Sequence, residues 1–413
     1  MFFLYQSSIF LLILISPLII IFRIIKGKED ISRIKEKFCL FSKTRKNGKV
    51  IWFHGSSVGE IMSIIPLIYQ YEKDKSINQI LITSSTLSSA KILNKYKFKK
   101  SIHQFFPLDF IFFSKFFLNY WKPSIAIFIE SEIWPSIYRD LNKKKIPLIL
   151  LNARITKKTF NRWLIIKKYS SSIFKNISST YPQNIETINY LKKLDVKNIK
   201  FIGNLKFIEN PYDKKDNKNI EIKNLFKNYK KWVAASTHED EEIICARAHM
   251  ILKKNIKNLI TIIIPRHINR KNEILSKLKS LNLNVVCHSS KLKNLNKTDI
   301  YLVDTYGESK KFYKISKTVF LGGSLSSRGG QNPLEAARYG SKILHGDNVQ
   351  NFKDIYKYLN LLNISRNIKT SKQIASSIKF QSAKNNNYEI KKMGQEILRK
   401  TLNELNIFIK NAD

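Results

Sequence analysis

The chain has 413 residues, 43% hydrophobic and 25% charged, enough to bury two ordinary cores and too apolar for a disordered chain. Its 73 basic and 31 acidic residues leave a formal charge of +42, which calls for an acidic partner or surface. The three cysteines, Cys39, Cys245 and Cys287, are odd in number and share no metal or redox spacing, so a reducing compartment with no disulfide framework is expected.

Phe2 to Ile25 is almost uninterrupted apolar sequence, relieved by Tyr5, Gln6, Ser7, Ser8, Ser16, Pro17 and Arg23. It is long enough to cross a bilayer. Arg23, Lys26, Lys28, Arg33, Lys35 and Lys37 follow as a basic collar, which keeps the downstream side cytoplasmic and draws it to anionic headgroups. A cleaved signal would begin with a basic region and end at a small-residue site, and neither is present. The segment reads as a membrane anchor. Elsewhere the lysines are dispersed, and no base-reading motif, aromatic–basic pattern or zinc spacing occurs. An anionic lipid surface therefore suits the charge better than nucleic acid.

From Lys49 short apolar runs alternate with helical patterns. Val50–His54, Gln79–Thr83, Ile125–Ile129 and Pro147–Leu151 read as buried strands, with helices such as Ile61–Tyr71 and Ser88–Tyr96 between them. That alternation predicts a parallel α/β sheet. Candidate chemistry falls at the strand ends. Glu60 closes His54-Gly55-Ser56-Ser57-Val58-Gly59-Glu60 and opens a helix, where a carboxylate acts as a general base or merely as a cap. Glu130 and Glu132 follow the strand Ile125–Ile129 beside Trp134, a paired-acid pattern whose roles environment can divide. Arg154, in Asn152-Ala153-Arg154, could neutralise them or bind an anion. Lys206, in Gly203-Asn204-Leu205-Lys206, is a candidate cation for charge on a leaving phosphate.

The lysine- and asparagine-rich stretch Asp213 to Lys223 reads as an exposed connection. Beyond it the alternation restarts with Lys231–Ala235, Leu259–Ile264, Asn284–Cys287, Ile300–Val303, Val319–Leu321 and Lys342–Leu344. Two doubly wound halves would meet at a cleft near the C-terminal ends of their strands. Ser236 and Glu239 fit a capping box, and His238 among acids lacks a metal-binding spacing. Arg266, after Pro265 and before His267, matches phosphate or carboxylate geometry, and Arg270 lies close behind. Asp304-Thr305-Tyr306-Gly307-Glu308 ends another strand. The loop from Gly322 to Gln331 joins a strand to a helical run, Pro333 to Tyr339. Such a loop lets backbone N–H groups approach a phosphate, with Glu335 placed for ribose hydroxyls. Its spacing is neither a Walker loop nor a dinucleotide fingerprint. Asn387 to Lys410 reads as one or two closing helices.

The ordered set HGSSVGE, ESEIWP, LNAR, GNLKF, AASTHEDEE, PRH, DTYGE and GGSLSSRGGQNPLE resembles the Kdo (3-deoxy-D-manno-octulosonic acid) transferases of lipopolysaccharide core synthesis. The resemblance runs from the N-terminal anchor to about Phe352. It implies a GT-B glycosyltransferase, α/β, with two Rossmann-like doubly wound domains facing a central cleft. The expected division is a membrane anchor at 1–26, an acceptor domain at 27–212 and a donor domain at 213–413. The implied donor is CMP-Kdo, the acceptor a tetra-acylated, bis-phosphorylated lipid A precursor, and the place the cytoplasmic side of the inner membrane. The resemblance makes Glu60 the catalytic base, with Glu130 and Lys206 stabilising the transition state. CMP contacts map to Pro265, Arg266, Tyr306, Gly307, Glu308, Asn332, Pro333, Leu334 and Glu335. No cofactor or metal is expected, since CMP-Kdo is a co-substrate whose sugar already carries a phosphate leaving group. Gln331 stands where the family usually has histidine, and Ser131 where threonine is common; retained activity with altered donor affinity is expected. Two competing readings are a GT-B enzyme using another nucleotide sugar, such as UDP-GlcNAc, on a lipid acceptor, and a basic membrane-anchored nucleic-acid-binding protein.

Overall fold

A computed structural model describes residues 1–212, 220–291, 294–381 and 386–411. Most of the expected connection from Asp213 to Lys223 lies outside the described residues. The chain divides into two compact units, Met1–Tyr212 with Met393–Asp413, and Asp213–Lys392. The last residues thus pack with the first unit, whereas their place in sequence had assigned them to the second. Tyr71 donates to Asn406 (3.1 Å), Tyr181 to Glu404 (2.8 Å) and Lys49 Nζ to the Ile409 carbonyl (2.8 Å). Those contacts hold the helix Asn386–Lys410 against the first unit from Met393 onward.

The first unit contains strands β1 (Val50–His54), β2 (Gln79–Ser84), β3 (Ser101–Phe105), β4 (Ile125–Ile129), β5 (Leu148–Ala153) and β6 (Ser179–Pro182). Every pair is parallel, in the order β3-β2-β1-β4-β5-β6. This is the doubly wound Rossmann order. The inner strands are buried on both faces, which is why they read as unbroken apolar runs. Trp52, Phe117, Trp121, Phe128 and Tyr138 fill one side of the sheet. The winding direction reverses between β1 and β4, and a doubly wound sheet offers a crevice at that switch point.

The second unit contains β7 (Lys230–Thr237), β8 (Leu259–Pro265), β9 (Val285–Cys287), β10 (Ile300–Leu302), β11 (Thr318–Leu321), β12 (Lys342–His345) and β13 (Ser365–Asn367). They form a parallel sheet in the order β13-β12-β11-β7-β8-β10-β9, with its switch point between β7 and β11.

The helix Phe2–Ile25 is long and apolar enough to cross a membrane and is compatible with a membrane anchor. Three of its polar interruptions, Tyr5, Gln6 and Arg23, are used for docking. Tyr5 donates to Asp109 (2.7 Å) and the buried Gln6 donates to Ser136 Oγ (2.7 Å) while accepting from the Ile111 N–H (2.8 Å). Asp109 also caps the helix Pro135–Lys143, accepting the N–H groups of Ser136 and Ile137 at 3.0 Å. At the other end, Arg23 pairs with Glu29, which also takes Lys37. Arg33 pairs with the fully buried Glu36. Part of the basic collar is therefore neutralised within the chain.

Candidate active site

In the first unit the site forms around the switch point. His54 ends β1, buried, with its ring stacked on Phe106 at 3.8 Å. Its Nδ1 lies 2.9 Å from Thr83 Oγ1, which already accepts from Trp52 Nε1 (2.9 Å). The threonine hydroxyl also lies 3.4 Å from the Phe53 carbonyl, and on the other side of the ring Nε2 lies 3.1 Å from Glu132 Oε2. Ser56 Oγ (2.7 Å) and Trp134 Nε1 (2.9 Å) donate to the same carboxylate oxygen. Burial alone would raise the Glu132 carboxyl. The hydrogen bonds from His54, Ser56 and Trp134, together with the nearby imidazole, outweigh it and hold the group below its usual range.

Glu60 sits in the first turn of the helix Val58–Tyr71, in a complete capping box with Ser57. Its carboxylate accepts from Ser57 Oγ (2.8 Å) and from the Ser56 N–H (2.8 Å). The two roles set against each other for Glu60 are thus not exclusive, because the capping contacts also fix the carboxylate. Its pKa is pushed up to about 7, first by burial and next by the negative charge of Glu132. The hydrogen bond from Ser57 pulls the other way. A carboxylate titrating near neutrality is suited to proton abstraction.

Glu130, at the end of β4, has φ +56°, a left-handed conformation unusual for a side chain this size. The turn swings it away from Glu132 and toward Lys206, whose Nζ lies 2.7 Å from Glu130 Oε1. Both side chains are largely buried. A register shift in the β5–β6 pairing at Asn152, also left-handed, aims that side chain at the same place. Asn152 Oδ1 accepts from the Leu205 N–H (3.0 Å), and Asn204 Oδ1 accepts from the Lys206 N–H (2.9 Å). These bonds fix the segment that carries the lysine. Arg154 meets the pair through its backbone: its N–H donates to the Glu130 carbonyl and its carbonyl accepts from Ser131. Among the described residues its guanidinium forms no ion pair with either glutamate, contrary to one of the roles suggested for it.

The second unit gathers cations at the ends of β7 and β8. Arg266 is exposed after the buried Pro265, and His238 and His267 approach edge to face at 5.7 Å. Burial first, then the neighbouring His267, Arg328, Arg266 and Arg270, lower the pKa of His238. The arginines Arg266 and Arg328 make this a positive patch suited to a phosphate. Arg270 itself is committed to Glu242 (3.0 Å) and Glu273 (3.1 Å).

The glycine-rich loop is built differently from the expectation. The buried carboxylate of Glu241 accepts the N–H groups of Gly323 (2.7 Å), Ser324 (3.2 Å), Leu325 (3.0 Å) and His238 (2.9 Å). Those donors, offered in sequence to a phosphate, bind an internal anion instead. Gly322 has no room for a side chain, since a Cβ would lie 2.5 Å from the Ser236 carbonyl and 2.6 Å from Glu241 Oε2. The expected Ser236–Glu239 capping box is absent. Ser236 adopts φ +54° at a bulge in β7, and the helix begins later, at Glu241. The helical run expected from Pro333 to Tyr339 is a single turn, Leu334–Ala337. Asn332 Oδ1 accepts from the Leu334 N–H at 3.1 Å, and Lys310 lies 3.5 Å from Glu335. Tyr306 is exposed, Gly307 has φ +84°, and Glu308 pairs with Lys311 (2.6 Å). Tyr356 donates to the Gln331 carbonyl at 3.0 Å. Among the described residues no group of three His, Cys, Asp or Glu side chains could hold a metal ion.

A family model described as 3-deoxy-D-manno-octulosonic-acid transferase matches residues 32–209. The chain is 34% identical over 396 residues to the 3-deoxy-D-manno-octulosonic acid transferase of Rickettsia bellii (strain RML369-C), covering 96% of this chain and 94% of that one. The protein of the same name from Haemophilus influenzae is 30% identical over 362 residues, covering 84% and 83%. Among solved structures, a glycosyltransferase from Rickettsia africae ESF-5 is similar at a TM-score of 0.55 and 14% identity, over 89% of this chain and 100% of that one. At that identity the likeness shows the fold alone.

Proposed function

This chain belongs to the 3-deoxy-D-manno-octulosonic acid (Kdo) transferase family, glycosyltransferases here of GT-B fold, and we propose that it moves Kdo from CMP-Kdo to a lipid A precursor with inversion. The observation that carries the mechanism is Glu60, a carboxylate raised to about 7 and fixed by Ser56 and Ser57. In the proposed reaction an acceptor hydroxyl oxygen attacks the anomeric carbon of Kdo. The hydroxyl proton passes to Glu60, the bond from that carbon to the phosphate oxygen breaks, and CMP leaves with the electron pair. Attack on the face opposite the leaving group inverts the anomeric centre.

The buried pair of Glu130 and Lys206 supplies a fixed dipole for charge that develops in the transition state. We assign the CMP contacts to Pro265, Arg266, Tyr306, Gly307, Glu308, Asn332, Pro333, Leu334 and Glu335, with the positive patch of Arg266 and Arg328 taking the phosphate beside the His238 imidazole. Since the loop N–H groups of Gly323 to Leu325 are held by Glu241, side-chain cations carry the larger share of phosphate binding in this proposal. The inner membrane is the proposed location, with the helix Phe2–Ile25 as anchor.

The test is CMP release by the purified protein supplied with CMP-Kdo and a lipid A precursor. Acceptor-dependent release is expected from the wild type, and at least a hundredfold less from Glu60→Gln, within the range for loss of a general base. Release that survives the substitution would remove Glu60 as base. Failure of the wild type would remove the donor and acceptor assignment.

A further inference from the structure

The helix Phe2–Ile25 leaves an apolar groove of about 380 Å³ against the first unit, a volume within the roughly 300–1,000 Å³ of ligand pockets. The helix is fastened at both ends, by Tyr5 and Gln6 to Asp109 and Ser136, and by Arg23 to Glu29. Between these points its inner stripe, which includes Ile13, Ser16 and Ile20, faces Phe106, Leu108 and Trp134 across the groove. The outer stripe is bare: Leu14 is 61% and Leu18 70% exposed. A helix fastened to one body at both of its ends is suited to lie along the membrane surface beside that body rather than to leave it and cross the bilayer. That arrangement turns the outer stripe to the lipid and the inner stripe over the groove.

We infer that this groove receives an acyl chain of the lipid acceptor, with the anchor helix as one wall of the acceptor site. The inference rests on the proposed lipid acceptor and deepens it. Two observations select the occupant. The groove is apolar and bounded by a lipid-facing helix, so a chain can enter from the membrane and displace no well-held water. Its inner end is continuous with the carboxylate cluster: Trp134, in its lining, donates to Glu132, and Ser85, also in its lining, lies 3.1 Å from Ser56 Oγ. A chain seated there leaves its headgroup beside Ser56, hence beside Glu60, whose carboxylate the Ser56 N–H holds.

The experiment compares the full chain with Ile13→Trp and Leu108→Trp, which fill the groove, and Leu18→Trp on the exposed stripe of the same helix. Each is assayed in detergent with CMP-Kdo and either the acylated acceptor or its de-acylated disaccharide bisphosphate. The ratio of kcat/KM for acylated over de-acylated acceptor is expected to fall at least tenfold in both groove variants. In Leu18→Trp it is expected to stay within twofold of wild type. Turnover of the de-acylated acceptor reports folding separately, and a variant that loses it is replaced by Ile20→Phe. An unchanged ratio in the groove variants overturns the acyl site while wild-type transfer stands. A ratio that falls equally in Leu18→Trp overturns it in favour of general membrane partition. No transfer by the wild type to either acceptor would strike the functional reading itself.

Discussion

At the residue scale the decisive interaction is between Glu60 and Glu132. Burial and the negative charge of Glu132 raise the Glu60 carboxyl to about 7, so a base at this position gains activity as pH rises through neutrality. Glu132→Gln keeps an oxygen for His54, Ser56 and Trp134 but removes the charge. The acid limb of kcat/KM should then move below 7, by up to about one pH unit. A pH profile that stays in place or moves upward would show that Glu132 does not set the Glu60 proton affinity. The linkage sign gives a second expectation. A carboxyl whose folded pKa is raised favours folding while protonated and costs stability as pH climbs from its unfolded value of 4.5 to about 7. Glu60→Gln should therefore melt no lower than wild type at pH 8, read by calorimetry, while losing activity. A lower Tm would mean that the capping contacts outweigh the buried charge. Glu60 could be read from sequence because a helix-opening glutamate needs only local spacing. The division of labour between Glu130 and Glu132 could not. Alternate residues of a strand point the same way, and only the left-handed turn at Glu130 sends one to Lys206 and the other to His54.

At the element scale, both switch points follow from strand order, whereas the apolar runs that sequence displays locate the strands without ordering them. The inner strands were legible for that reason. Edge strands β3 and β6 were not, because Ser101, His103 and Gln104, and Ser179 and Thr180, interrupt any apolar run. Their partners come from across the sheet, which no local pattern reports. Glu241 was hidden among acids in the same way, since three of its four backbone donors, Gly323, Ser324 and Leu325, are remote in sequence. It is the anion that holds the β11 loop against the β7 turn. Glu241→Gln replaces one accepting oxygen with a donor and leaves buried N–H groups facing it, at about 1–3 kcal/mol for each group left unpaired. The expected result is a lower Tm for the full chain and at least tenfold weaker CMP binding by titration calorimetry, because the loop carries residues toward Asn332 and Glu335. Unchanged CMP affinity with a lowered Tm would separate the loop from the donor site.

At the scale of the whole molecule, the proposed membrane attachment would draw on the charge of +42 and on the apolar helix, two terms that respond differently to salt. Composition announced the charge but not its distribution. Glu36 pairs with Arg33 and Glu29 is shared by Arg23 and Lys37, while Lys26, Lys28 and Lys35 form no ion pair among the described residues. A juxtamembrane lysine contributes about 1 kcal/mol at an anionic surface, so these three should raise vesicle affinity by roughly a hundredfold over a neutral surface. At about 1 M salt, where the Debye length is about 3 Å, that increment should vanish. Burial of the outer helical stripe is insensitive to screening. Co-sedimentation of the full chain with phosphatidylcholine vesicles should therefore persist at high salt, while the added affinity for phosphatidylglycerol vesicles disappears. Complete release at high salt would mean that the helix is held by charge alone and that its exposed stripe meets something other than lipid.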